Sequence, residues 1–358
     1  MSPKKRQPKR INLALQGGGA HGAFAWGVLD KLLEDGRIDI EGVCAASAGT
    51  MNACVYAYGH MQGGREGARA ALQDFWWRIH KVGQLYNPMK QLPWEKYWAV
   101  DMDQSLFYGV FDNLLRTYSP YQFNPFDINP LRDVLSECVD FEALKECQTT
   151  KLFVSATHVR SGRLRVFNTH EISCDVAMAS ACLPFLFKAV NIDGQDYWDG
   201  GYMGNPPLYP LFYKTESRDI LVVHINPMDR PETPTTASDI MNRINEISFN
   251  ASLIKDMRAI AFVKKLLEHD MLKEEYRSHF KDVLLHSVKA DKAMCEFSVA
   301  SKLSSDWQFL TLLRDRGRET MAKWLDQHFD QIGVSDTVDL HKEFLASVNQ
   351  MFPPCSKS

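Results

Sequence analysis

The chain has no apolar run approaching the roughly 20 residues of a membrane-spanning helix, so it is expected to be soluble or peripheral. It also lacks a dominant charge. Its 41 basic and 44 acidic side chains leave a formal net charge of -3, which gives no global field toward nucleic acid or an anionic bilayer. Eight cysteines are scattered with no CxxC and no Cys/His ligand spacing, which speaks against a zinc site and a disulfide framework. Reduced structural thiols in a cytoplasmic protein are the expectation. No internal repeat or low-complexity segment is present, and no metal or cofactor is called for. Local basic charge is confined to residues 1–10, with five Lys and Arg, read as a disordered tail. Ile11 to Leu15, which follows, is too short for the apolar core of a signal peptide.

What is present is a globular chain of 358 residues, 45% hydrophobic, enough for a large core. Ile11–Leu15 reads as a strand, Gln16 to Gly22 as a glycine loop, and Ala23 to Glu34 as a helix ended by Gly36. Gly42 to Ala46 reads as a second strand meeting Ser47, followed by helical spacing over Ala48 to Tyr58 and again over Arg65 to Ile79. Two strand-loop-helix units in sixty residues predict an α/β fold, with a mostly parallel central sheet between helices. An aromatic-rich insertion is expected at about 86–130, including Trp94, Tyr97, Trp98, Phe107, Tyr108, Phe111, Tyr121, Phe123 and Phe126. Leu131 to Leu144 reads as a helix, Leu152–Thr157 and Leu164–Phe167 as a strand pair, and Ile220–Ile225 as a buried strand. Pro227 to Thr236 is a linker. Beyond it, residues 228–358 are expected to be a mainly helical region packed on a catalytic domain at 11–227.

Three segments carry chemistry. Gly17-Gly18-Gly19-Ala20-His21-Gly22 lies between a strand and a helix, where glycines let several N–H groups converge beside a helix N-terminus. Alone, that loop fits a pyrophosphate cradle, an oxyanion site or plain structure. Ala45-Ala46-Ser47-Ala48-Gly49 places a serine among small residues at a strand-to-helix junction, as a nucleophile elbow requires; as ordinary structure it is a helix N-cap. A serine nucleophile needs a base. Asp199-Gly200-Gly201 offers a carboxylate beside apolar Tyr197 and Trp198, although Asp-Gly-Gly is also an ordinary turn. His21 is the competing base. His224 reads as a satisfied core histidine and His170 as a surface group.

Together and in this order, the three segments resemble the GGGxRG, GxSxG and DG[GA] blocks of the patatin-like phospholipase family, over about Ile11 to Pro227. Ala179–Pro184 and Phe185–Val190 resemble the family's segment ahead of its aspartate. The resemblance implies a three-layer patatin-like fold and a Ser47–Asp199 dyad without metal or cofactor. It implies Gly17, Gly18 and Gly19 as oxyanion donors, with Ala20, His21, Gly22, Ala45, Gly49, Gly200 and Gly201 as supporting positions. Ala45 replaces the first glycine of GxSxG, and His21 stands where the family has Arg or Lys.

The expected function is therefore acyl-ester hydrolysis of phospholipid or lysophospholipid through an acyl-serine, with lipid as partner, peripheral contact with a lipid surface, and no nucleic acid. Rival readings are an esterase or storage-polyester depolymerase, and a nucleotide- or lipid-binding non-enzyme using the glycine loop. Asp39 is the nearest acidic residue to a ribose-binding position, but it stands just ahead of the second strand. The aromatic stretch caps an acyl groove, dips into lipid or forms a subdomain core, and Met257–Leu267 lies on a membrane or packs as a core helix with a solvated Lys264–Lys265 edge.

Overall fold

The computed structural model describes residues 8–86, 117–230, 232–277, 279–290, 294, 297 and 300–345. The insertion expected at 86–130 falls mostly outside them; Tyr121, Phe123 and Phe126 are described. Residues 1–7 of the expected tail also lie outside. Lys9 and Arg10 do not belong to a tail: strand β1 is Lys9–Leu15, and Lys9 Nζ donates to the carbonyls of Phe329 (2.9 Å) and Ile332 (2.8 Å).

The first two units fold as their patterns dictate. Helix α1 is Gly22–Asp35, and Gly36 ends it in the left-handed region that glycine enters without steric cost. Strand β2 is Ile38–Ala45, and helix α2 is Ala48–Tyr86, broken where Gly63 and Gly64 leave helical geometry. The helix expected over Leu131 to Leu144 is two: α3 is Pro130–Cys138, and Asp140 then caps a new short turn by accepting from the Glu142 and Ala143 amides. Strands β3 (Lys151–His158) and β4 (Arg163–Asn168) follow, then α4 (Cys174–Ser180), β5 (Val190–Ile192), β6 (Gln195–Asp199) and β7 (Asp219–His224). The C-terminal region contributes α5 (Ala237–Glu268), strand β8 (Leu284–Lys289) and α6 (Trp307–His328).

Among the described residues the sheet has eight strands. β8, β7, β1, β2 and β3 are parallel neighbours in that order, and β4, β5 and β6 add an antiparallel margin. β4 takes one edge of β3 along Phe153 to His158. The other edge is divided: β2 pairs with it as far as Ala45 opposite Val154, and β6 runs the opposite way to end with Asp199 opposite Ala156. The carboxyl ends of β2 and β6 therefore meet head to head.

The C-terminal region is joined to this sheet in two ways. β8 pairs with β7, and α6 crosses α1 so closely that glycine is required at both contact points. A Cβ on Gly27 would lie 1.9 Å from the Arg314 carbonyl oxygen, and one on Gly317 would lie 2.2 Å from that of Phe24. Residues of α5 expected on a membrane or in a core are divided by face: Met257, Ile260 and Ala261 are buried, whereas Phe262 is exposed. Lys264 is not at a solvated edge, since it pairs with Asp336 at 2.8 Å and is largely buried. Among the described residues no helix is long and apolar enough to cross a membrane.

Gly27→Ala is expected to force α1 and α6 apart and lower stability by about 1–3 kcal/mol in denaturant unfolding. A loss below about 0.5 kcal/mol would show that these helices tolerate wider packing.

Candidate active site

Ser47 is the last residue before α2 and has φ of 51°, a left-handed conformation that costs energy in any residue with a Cβ. The turn is held from outside the elbow: the Ser47 N–H donates to the carbonyl (3.1 Å) and Oγ (3.0 Å) of Ser180, at the end of α4. Gly49 completes it, because a Cβ there would sit 2.3 Å from the Leu15 carbonyl oxygen. Ala45 tolerates its methyl, which is buried in the core within β2.

The glycine loop lies directly on this elbow. A Cβ on Gly17 would fall 2.5 Å from the Ser47 Cβ, and one on Gly22 would fall 2.8 Å from that of Ala48. Gly17 does not present its N–H as expected, since that group donates to Asn205 Oδ1 at 2.6 Å. The amides of Gly18 and Gly19 meet no acceptor among the described residues. Asn226 fixes the loop from below, its Nδ2 donating to the Gly17 carbonyl at 2.7 Å. Gln16 Oε1 in turn accepts from the Ile225 (2.8 Å) and Asn226 (3.0 Å) amides, just past the end of β7.

Asp199 arrives at the end of β6 and is completely buried. Its backbone is pinned by its N–H donating to the Cys182 carbonyl (2.8 Å) and its carbonyl accepting from Thr157 Oγ1 (2.8 Å). Gly200 is required beneath it, where a Cβ would meet the Ser155 carbonyl oxygen at 2.2 Å. Oδ1 accepts from the Gly201 N–H at 2.7 Å. Oδ2 is buried without a well-formed hydrogen bond among the described residues, and the Ser47 hydroxyl is close enough to favour the ionised carboxyl without full hydrogen-bond geometry. Burial dominates over both interactions and pushes the carboxyl up to about 7.

Ser47, Asp199 and Gly17 to Ala20 line one cavity of roughly 300 Å³, whose other walls are mainly apolar, among them Met51, Phe75, Trp76, Leu131, Leu186 and Phe187. The model of the patatin-like phospholipase family matches residues 13–212, more than half of the chain. The chain belongs to that family. Among solved structures, VipD from Legionella pneumophila aligns with 90% of this chain and 67% of its own, at 16% identity and a TM-score of 0.44. The type III effector ExoU aligns with 90% of this chain and 53% of its own, at 14% identity and a TM-score of 0.35. ExoU in complex with SpcU from Pseudomonas aeruginosa gives 15% identity and a TM-score of 0.30. This chain thus spans about half of ExoU. A search of curated protein sequences returns no match.

In this member of the family the loop histidine points away from the cavity. His21 is buried, tilts against Phe297 and Phe309, and places Nε2 2.7 Å from Ser301 Oγ. Burial first, then the charges of Lys302 and Arg230, hold its pKa well below the usual imidazole value, so the ring is neutral. His170 is exposed, as expected. His224 is buried, but neither ring nitrogen has a hydrogen-bond partner among the described residues; burial pushes its pKa down to about 3 and suppresses the charged form instead. Asp39 lies inside β2, at the end remote from the glycine loop, and pairs with Arg65 at 2.6 Å. No ribose-binding acid is thereby supplied.

Asn205, Asn226 and Lys302 belong to no motif, since each acts through a contact with a remote segment, and Ser180 lies in the Ala179–Pro184 segment without any role legible for it. The one available hint was polar residues beside turn prolines, at Asn205-Pro206 and Asn226-Pro227.

His21→Ala is expected to lower stability by about 1–3 kcal/mol while leaving the acid limb of any pH–rate profile in place. A shifted acid limb would return the histidine to the list of titrating groups.

Proposed function

We propose that this chain hydrolyses acyl esters of phospholipids or lysophospholipids, with Ser47 as nucleophile and Asp199 as general base. The observation that carries the reading is a fully buried carboxyl beside a strained serine, in an apolar cavity that also receives two unengaged amides.

In the first half-reaction Asp199 takes the hydroxyl proton as Ser47 Oγ attacks the ester carbonyl carbon. The carbonyl oxygen becomes an oxyanion held by the Gly18 and Gly19 N–H groups. Collapse breaks the bond to the leaving alkoxide, which receives the proton from Asp199, and an acyl-serine remains. Water then attacks the acyl carbon and gives its proton to Asp199. Collapse of this second intermediate releases the fatty acid and returns the proton to Ser47. Each amide donor lowers the barrier by about 3 kcal/mol, because it is aimed before charge develops. A base near 7 matches a neutral working pH, and apolar walls suit an acyl chain.

Ser47→Ala is expected to abolish both turnover and fluorophosphonate labelling, with the melting temperature little changed; labelling that persists in this variant removes the nucleophile assignment. For the wild type, kcat/KM should rise with pH through about 7 and fall about tenfold per unit below it, since Asp199 must be ionised. Fatty-acid release from phospholipid vesicles exceeding release from short soluble esters supports lipid over general esterase or polyester substrates.

Asp199→Asn should combine loss of turnover with a gain in stability. The folded carboxyl holds its proton up to about 7 whereas the unfolded one releases it near 3.8. The native state therefore loses stability as pH rises between those values, by up to about 4 kcal/mol above pH 7. Removing the charge recovers part of that loss at pH 8, measured by denaturant unfolding; no gain there would mean the carboxyl ionises at no cost.

A further inference from the structure

We propose that Lys302 is the anion-recognising residue of this site and holds the phosphate of a lipid headgroup while the ester lies over Ser47. The proposal rests on the hydrolase reading and adds the chemical class of the substrate's polar end.

Lys302 comes from the C-terminal region, outside the matched residues 13–212, yet it lines the same cavity as Ser47 and Asp199. Its backbone seats the glycine loop: Gly19 has φ of 59°, and a Cβ there would lie 2.3 Å from the Lys302 carbonyl oxygen. Its ammonium donates to Asn226 Oδ1 at 2.9 Å, and no carboxylate lies within salt-bridge distance of it among the described residues. Glu246 is the acid nearest in effect, but it is already held by Arg230 and by Arg243 at 3.1 Å. Glu246 thus already pairs with two guanidinium groups and is not in salt-bridge contact with Lys302.

An ammonium has three donors, and Asn226 is a neutral acceptor for one. Burial, partly offset by Glu246 and reinforced by Arg230, lowers the group to about 8, which leaves it mostly charged at neutral pH. A charge left in apolar surroundings is costly unless an anion meets it. The developing oxyanion has the Gly18 and Gly19 amides, whereas Lys302 is the cationic side chain lining this cavity among the described residues. His21 does not supply that charge, being neutral and turned toward Ser301.

The test compares a lysophospholipid with the monoacylglycerol of the same acyl chain, using the full chain and the variants Lys302→Met and Lys302→Arg. In a Ser47→Ala background, calorimetric affinity of Lys302→Met for the lysophospholipid should fall at least tenfold more than its affinity for the monoacylglycerol. Lys302→Arg should regain most of the difference. In catalytically intact protein the ratio of kcat/KM for the two substrates should fall by a similar factor, mainly through KM. Equal losses on both lipids would assign Lys302 to positioning the loop through Asn226 and overturn the proposal, as would no loss on either. Inorganic phosphate at 1 mM that displaces the lysophospholipid completely would assign the site to a free anion and overturn it also. Discrimination in binding without any turnover or Ser47 labelling would leave Lys302 standing and remove the hydrolase reading. Circular dichroism of the Met and Arg variants verifies that both fold.

Discussion

The site depends on a division of one strand edge. β3 gives its first half to β2 and its second half to β6, which runs the other way, so two carboxyl ends face each other across a short gap. Ser47 stands just beyond one end and Asp199 closes the other. Ser180 holds the Ser47 amide, and Cys182 and Thr157 hold the Asp199 backbone, which leaves little freedom in the distance between them. Such rigidity lets a buried carboxyl be held near a serine without the imidazole that orients both groups in a triad.

Burial is what gives that carboxyl its chemistry. The Gly201 amide and the Ser47 hydroxyl favour its ionised form, yet desolvation outweighs them and brings it to about 7. The same physics acts on His21 and His224 in the opposite sense, because burial disfavours the imidazolium. The interior around the glycine loop therefore contains neutral histidines, a carboxyl poised near neutrality, and an ammonium whose charge is retained in the cavity wall. The Gly18 and Gly19 amides lie in these same largely apolar surroundings, where dipoles are less screened than in water.

Much of this was legible from residues 11–49, where local rules suffice. Glycines between a strand and a helix, small residues around a serine and Gly36 past a helix each announce backbone requirements set within a few positions. The separate helical patterns of Ala48 to Tyr58 and Arg65 to Ile79 are parts of one element, α2, which leaves helical geometry between them at Gly63 and Gly64. The start of β1 at Lys9 was not legible, because a basic residue joins a strand only when remote carbonyls, those of Phe329 and Ile332, receive it. Nor was the split of Leu131 to Leu144, where apolar spacing continued past a capping aspartate. The direction of His21 was equally hidden, since Ser301 and two phenylalanine rings that surround it come from the far end of the chain.

The sequence by itself determined the α/β class, the glycine loop, the elbow serine and the family to which they belong, because these are properties of short segments. The tertiary structure alone decided which loop amides remain open, since Gly17 loses its N–H to Asn205, a residue with no motif. It decided that Asp199 is desolvated, because burial is a sum over every element packed around β6. It also decided where the cation sits, for Lys302 reaches the loop only after α6 and its preceding turn fold back on the sheet. Spacing along a chain encodes backbone geometry, whereas exposure, partners and charge are settled by what comes to lie alongside.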